Sequence, residues 1–233
     1  MKSLSRINNA VKNGLNRLIP SFAVIPLLAL VFSNIAVYYG SRLLNSYLDR
    51  PYLYLTGNTD RFIPVIPEFA IIYLIAFPFW YVTYLLICRS DPYKCRATVI
   101  ANIGAKIICG ILFVLVPTSI IRPEIPDSGF SKALLGFIYT MDSPDNLFPS
   151  IHCFESIFCF LLIKDEPDVH RYIRISAFIL SVLICLSTLF TKQHVIYDVF
   201  AGTGIAMVAY FMRRYLLSVV YANRVRVTRS FAA

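Results

Sequence analysis

Long apolar runs alternate with short polar breaks along the chain, and the runs exceed what a strand or an amphipathic helix of a soluble domain carries. Windows near the ~20 apolar residues needed to cross a hydrocarbon core occur at 20–40, 67–88, 98–121, 148–164, 173–191 and 193–217. Each predicts a helix, since in lipid the backbone polar groups must be satisfied within the segment. The third run contains Lys106 and the fourth Glu155. Ahead of the first, Leu4, Ile7, Val11, Leu15 and Ile19 recur near helical spacing between Lys2, Arg6, Lys12 and Arg17, which predicts an amphipathic surface helix over 3–18. The first run lacks a small-residue cleavage site where a secretory signal would have one, so it is expected to be retained. The expected organisation is an all-α, six-helix membrane domain: a cytoplasmic amphipathic segment at 1–19, a helical core at 20–217 and a basic cytoplasmic tail at 218–233.

Two connections carry apolar patterns of their own. In 41–66, Leu43, Leu44, Tyr47 and Leu48 form a stripe followed by several tyrosines, which reads as an external amphipathic helix and loop lying on the bilayer. The loop 122–147 contains "LLGFIYT" and is expected to cover the neighbouring end of the bundle.

Composition agrees with the pattern, because 58% hydrophobic and only 15% charged residues lie outside the range of soluble globular chains. Charge then orients the bundle. Lys2, Arg6, Lys12 and Arg17 precede the first run, "RSDPYKCR" has three basic residues, and Arg213, Arg214, Arg224, Arg226 and Arg229 follow the last. The loop 122–146 has two basic residues against four acidic ones. With six crossings the basic segments share one side, expected to be cytoplasmic in a multi-pass protein of the cell membrane. The net charge of +9 is thereby assigned to topology and anionic lipid; scattered over several loops, it makes no patch for nucleic acid.

The same threading brings Arg122, Ser150, His152, Thr188, His194 and Asp198 to the opposite, external face. His194 and Asp198, four apart at a helix start, lie on one side of that helix. Taken singly each has a plain reading: interfacial histidine anchors, a carboxylate at a helix N-terminus, a snorkelling arginine. Together at one depth they form a candidate site. Two histidines and an aspartate suit a divalent metal. They equally suit attack on phosphorus by one imidazole, with protonation of the leaving oxygen by the other and the aspartate orienting the first. Arg122 favours the second chemistry, since a guanidinium matches phosphate oxygens and repels a cation.

"FPSIH" followed by "STLFTKQHVIYDVFAG" resembles the second and third signature motifs of the type 2 phosphatidic acid phosphatase superfamily, P-S-x-H and S-R-x5-H-x3-D, and the first, K-x6-R-P, falls on "LVPTSIIRP". The resemblance spans about 98–205 and implies a six-helix fold that needs no metal or other cofactor. It implies His194 as a nucleophile forming phosphohistidine, Asp198 holding its ring and His152 as general acid. Ser150 and Arg122 would bind phosphate. Leu115 and Thr188 replace the motif lysine and arginine, which weakens stabilisation of a dianionic phosphomonoester. Lys192 is expected to restore part of that charge. The third motif is also similar to that of inositol-phosphorylceramide and sphingomyelin synthases, whose phosphodiester substrates carry one negative charge and need fewer cations. Glu155, three residues after His152, is expected behind it or as a buried protonated acid, with Thr188 a further supporting residue. Lys106 is expected to snorkel or pair, and His170 to lie on the cytoplasmic side away from the chemistry.

The six cysteines sit in or beside the runs and suggest no disulfide framework. The expected activity is hydrolysis of a lipid phosphate ester, with membrane lipids as surroundings; the alternatives are head-group transfer between lipids and a relative that only binds lipid.

Overall fold

A computed structural model of the protein describes residues 19–125 and 129–230, with side chains through Asn223. The surface helix expected over 3–18 lies outside the described residues. Within them are eight helices: α1 Ser21–Tyr47, α2 Asn58–Phe62, α3 Phe69–Ser90, α4 Pro92–Leu115, α5 Phe130–Met141, α6 Ile151–Asp165, α7 Arg171–Phe190 and α8 Ile196–Ser230. A two-residue parallel pair joins β1, Leu53–Tyr54, to β2, Thr118–Ser119. Leu53 lies opposite Thr118 and Tyr54 opposite Ser119.

The helix limits follow local chemistry. Asp91 ends the α3–α4 turn and accepts the amides of Tyr93 (2.6 Å) and Lys94 (3.0 Å), with Pro92 at the first helical position, where its missing N–H costs nothing. Ser150 caps α6 by accepting the Cys153 amide at 3.3 Å. His170 caps α7 through the Tyr172 amide. Pro26 and Pro78 lie inside α1 and α3.

The protein is an all-α polytopic membrane protein. Among the described residues, α1, α3, α4, α7 and α8 are long and apolar enough to cross a bilayer. Of the six expected crossings, the fourth, at 148–164, is not among these five. α6 has 15 residues; at 1.5 Å per residue it is about 22 Å long, short of a ~30 Å hydrocarbon core. Its apolarity is that of a core helix, since α3, α7 and α8 surround it and Phe154, Phe158 and Leu162 are fully buried. Hydropathy alone does not separate a side chain facing protein from one facing lipid.

These five helices and the shorter α6 nevertheless run between the same two ends. At one end Lys94, at the start of α4, meets Glu166 after α6 at 2.6 Å, and Arg213 of α8 lies 3.6 Å from Glu166. At the other, Arg42 of α1 pairs with Asp145 at 2.6 Å, and α5 packs on α3. The stripe at 43–48 is a continuation of α1 rather than a separate surface helix, and only α2 and β1 lie in the connection that follows. Below this second end, Trp80, Tyr84, Phe154, Phe158 and Ala206 belong to the main core.

Candidate active site

His194 lies in the tight turn between α7 and α8. The Thr188 carbonyl accepts the amides of Gln193 (2.9 Å) and His194 (3.1 Å), closing that turn, and Lys192 adopts φ of 51° within it. The Lys192 ammonium donates to the carbonyls of Asp60 (2.9 Å) and Ile63 (2.6 Å). Asp60 in turn accepts the Ile196 amide at 2.9 Å, at the start of α8. The short α2 is thus clasped to the histidine turn from both sides.

Asp198 Oδ2 receives His194 Nδ1 at 3.2 Å and the Val195 amide at 3.0 Å. A carboxylate accepts only, so the ring proton sits on Nδ1 and leaves the Nε2 lone pair free. Burial alone would lower the His194 pKa, but the Asp198 hydrogen bond and charge outweigh it and raise it above the ordinary histidine value.

His152 occupies the first turn of α6 with its ring centre 6.4 Å from that of His194. It is stacked on Tyr73 of α3, centroids 4.1 Å apart, with Trp80 edge-on at 5.0 Å. Tyr73 Oη donates to Asp142 at 2.9 Å and lies 3.4 Å from His152 Nδ1, while His152 Nε2 is buried without a partner. Tyr38 of α1 also donates to Asp142. Each histidine therefore has a carboxylate behind its Nδ1, one directly and the other through a phenol.

Two contacts bring α6 and α8 together. The Ser150 amide donates to the Asp198 carbonyl at 3.1 Å, and a Cβ built on Gly202 would stand 2.4 Å from the Ser150 carbonyl oxygen. Only glycine allows this approach, because any other side chain would push the first turn of α6, with His152, away from α8.

Arg122 follows β2 and stacks over Tyr139 at 4.6 Å. It donates to the carbonyls of Asp142 (2.6 Å) and Tyr139 (3.3 Å) and to Gln193 Oε1. Burial lowers its pKa, and the same burial pushes the Tyr139 hydroxyl up to about 12. Arg122 Nε and Gln193 Nε2 are buried donors without partners in the protein.

His194 stands between two cavities. The first, of about 340 Å3, is lined by both histidines, Gln193 and mainly apolar side chains of α1, α3 and α5. The second, of about 440 Å3, has His194, Arg122 and Lys192 on its walls. The 130–141 segment is the helix α5, and its Phe137, Ile138 and Met141 line the first cavity.

Several expected roles change. Glu155 does not support His152: its carboxylate meets Lys106 at 2.9 Å, Asn102 at 3.0 Å and the Tyr84 hydroxyl, because one turn below His152 the side chain faces α4. Lys106 pairs there rather than snorkelling. Ser150 is fully buried and lines neither cavity, so its hydroxyl serves the helix cap rather than a phosphate. Lys192 spends two of its three N–H donors on α2. Thr188 is fully buried with its hydroxyl on the Cys185 carbonyl and 3.8 Å from Cys153 Sγ, leaving no room for the motif arginine. Leu115 is 61% exposed, away from both cavities.

Tyr73, Asp142, Gln193, Asp60 and Gly202 were not anticipated as site residues. Gln193 adjoins His194 and Asp142 lies in the acidic loop, which are weak signals; nothing near Tyr73 in sequence points to His152. Among the described residues no group of three or more His, Cys, Asp or Glu side chains is placed to hold a metal ion. Comparison of the chain with protein-family models, curated proteins and solved structures gives no match.

Proposed function

We infer that the protein is a membrane enzyme that cleaves a lipid phosphate ester through a phosphohistidine on His194. The observation that carries this reading is the pair of imidazoles on one cavity, His194 with Asp198 on its Nδ1 and His152 facing it at 6.4 Å. His194 Nε2 attacks phosphorus and the P–O bond to the lipid breaks. His152, held through Tyr73, takes up a proton as the anionic phosphate enters beside it and gives that proton to the departing oxygen. Water, deprotonated by the then neutral His152, attacks the phosphohistidine and releases phosphate. Arg122 Nε–H and Gln193 Nε2–H are buried donors beside the nucleophile, and a buried donor without a partner is costly until an acceptor such as a phosphate oxygen meets it. The resemblance to the type 2 phosphatidic acid phosphatase superfamily supports the same roles.

The second reading, transfer of a phosphoalcohol head group to another lipid, is favoured by one feature. The cavity shared by the histidines is mainly apolar, so a lipid alcohol can compete with water for the phosphohistidine. The basic end of the bundle, with both termini and Lys94, is assigned to the cytoplasm of a cell membrane and the histidine end to the outside. On this reading α6, enclosed by α3, α7 and α8, carries the chain across once more within the bundle, so that the two ends of the chain share one side. Incubating the purified protein with phosphomonoester and phosphodiester lipids, with and without diacylglycerol or ceramide, tests both readings. Released phosphate supports hydrolysis, a new lipid product supports transfer, and neither product from any lipid overturns the enzyme assignment.

A further inference from the structure

Beneath the histidine cavity lies another of about 310 Å3, between α1, α3 and α4. The two adjoin at Asn34 of α1 and Trp80 of α3, which stand on the walls of both. The lower part is bordered by Leu27, Leu28 and Val31 of α1, Leu85 of α3, and Ile19 ahead of α1. From Asn34 back to the start of α1 at Ser21 is 13 residues, or about 20 Å of helix at 1.5 Å per residue. One leaflet of hydrocarbon is about 15 Å deep, half of a ~30 Å core. Its only charged lining groups are Lys106 and Glu155, which neutralise each other at 2.9 Å and are each 1% exposed.

We propose that these two adjoining cavities form one path that binds a hydrocarbon chain of the substrate, which makes the substrate a long-chain lipid phosphate seated along α1 and α3 from its ester downwards. The proposal rests on the reading above for its head-group end, with phosphorus at His194 and the chain passing Trp80. Three observations support that occupant. The path begins at the histidines, its length exceeds one leaflet, and its paired charges leave no net field to repel alkyl groups. Turnover then depends on chain length, because each methylene seated in the path adds apolar burial that a shorter chain forgoes.

The test uses alkyl phosphates with chains of four to eighteen carbons and the full-length protein in detergent. Trp80 is the single tryptophan, so its fluorescence reports the junction without any turnover. A hexadecyl phosphate brominated near mid-chain is expected to quench Trp80 saturably, and unbrominated hexadecyl phosphate to reverse the quenching. Val31→Phe and Leu28→Phe narrow the path and keep one tryptophan. They are expected to lower kcat/KM for hexadecyl phosphate about tenfold and to leave butyl phosphate, too short to reach them, within twofold. Saturable, competed quenching without turnover of any ester would keep the chain site and overturn the enzyme reading. Turnover that is independent of chain length, with quenching that neither saturates nor responds to competitor, would overturn the chain site and keep the enzyme. If the phenylalanine variants fail to fold, quenching and chain-length dependence in the unaltered protein still decide between these outcomes.

Discussion

The phenol ring of Tyr73 lies against the imidazole of His152 at 4.1 Å and 23°, and its hydroxyl bridges from His152 Nδ1 to Asp142. On the proposed mechanism Tyr73 is a positioning residue, acting on substrate only through His152. Tyr73→Phe keeps the stack and removes the bridge. A hydrogen bond contributes about 1 kcal/mol, so turnover of an ester with a poor leaving group is expected to fall about five- to tenfold. The loss should shrink for an activated aryl phosphate, whose leaving oxygen needs no proton. Equal losses on both esters would assign Tyr73 a packing role alone.

The two histidines are expected to fail differently. His194→Ala should abolish turnover and any acid-labile phosphoenzyme. His152→Ala should lower turnover by the ~10²–10⁴-fold typical of general acid catalysis, with rescue by the activated ester. Phosphoenzyme accumulating in the His194 variant, measured by retained radiolabelled phosphate, would reverse the assignment.

The pH profile follows from the raised pKa of His194. On the proposed mechanism the neutral imidazole is the nucleophile, so activity is expected to be lost as pH falls through a value above the ordinary ~6.5 of histidine. Asp198→Asn removes the raising charge and leaves burial, which lowers the pKa. The acid limb of kcat/KM should then move to lower pH while the maximum falls. For stability the sign is opposite: the charged pair contributes fully below the unfolded pKa and is lost as pH rises through the folded one. Thermal unfolding should therefore show Asp198→Asn costing more at pH 5.5 than at pH 8.5.

Gly202→Ala places a methyl group where the Ser150 carbonyl stands. Overpacking of this kind costs about 1–3 kcal/mol, and relief requires α6 to move, carrying His152 with it. Lowered thermal stability should accompany lowered turnover. A variant of full stability and activity would mean that the two helices separate freely.

The orientation is tested by cysteine labelling in intact cells. All six native cysteines are buried, so an impermeant thiol reagent reads introduced ones. Exposed Glu124 and Asp168 lie at opposite ends of the bundle. Glu124→Cys should label and Asp168→Cys should not; the reverse pattern would turn the active site to the cytoplasm.

By itself the sequence determined the membrane class, the positions of the five long helices and the convergence of His152, His194, Asp198 and Arg122 at one end. These depend on local quantities: run length, charge between runs, and the four-residue spacing that puts Asp198 behind His194. Only the tertiary structure decided which neighbour each polar group meets. Glu155 turns to Lys106 on α4 rather than to His152, and His152 finds Tyr73 79 positions away. Ser150 is consumed by its own helix cap, and Thr188 is walled in by Cys153. α6 is a core helix too short to span hydrocarbon alone, which hydropathy cannot register because protein and lipid interiors are equally apolar. Rotation of each helix about its axis, set by packing such as Gly202 on Ser150, selects these partners, and a linear chain encodes that rotation only through all its contacts at once.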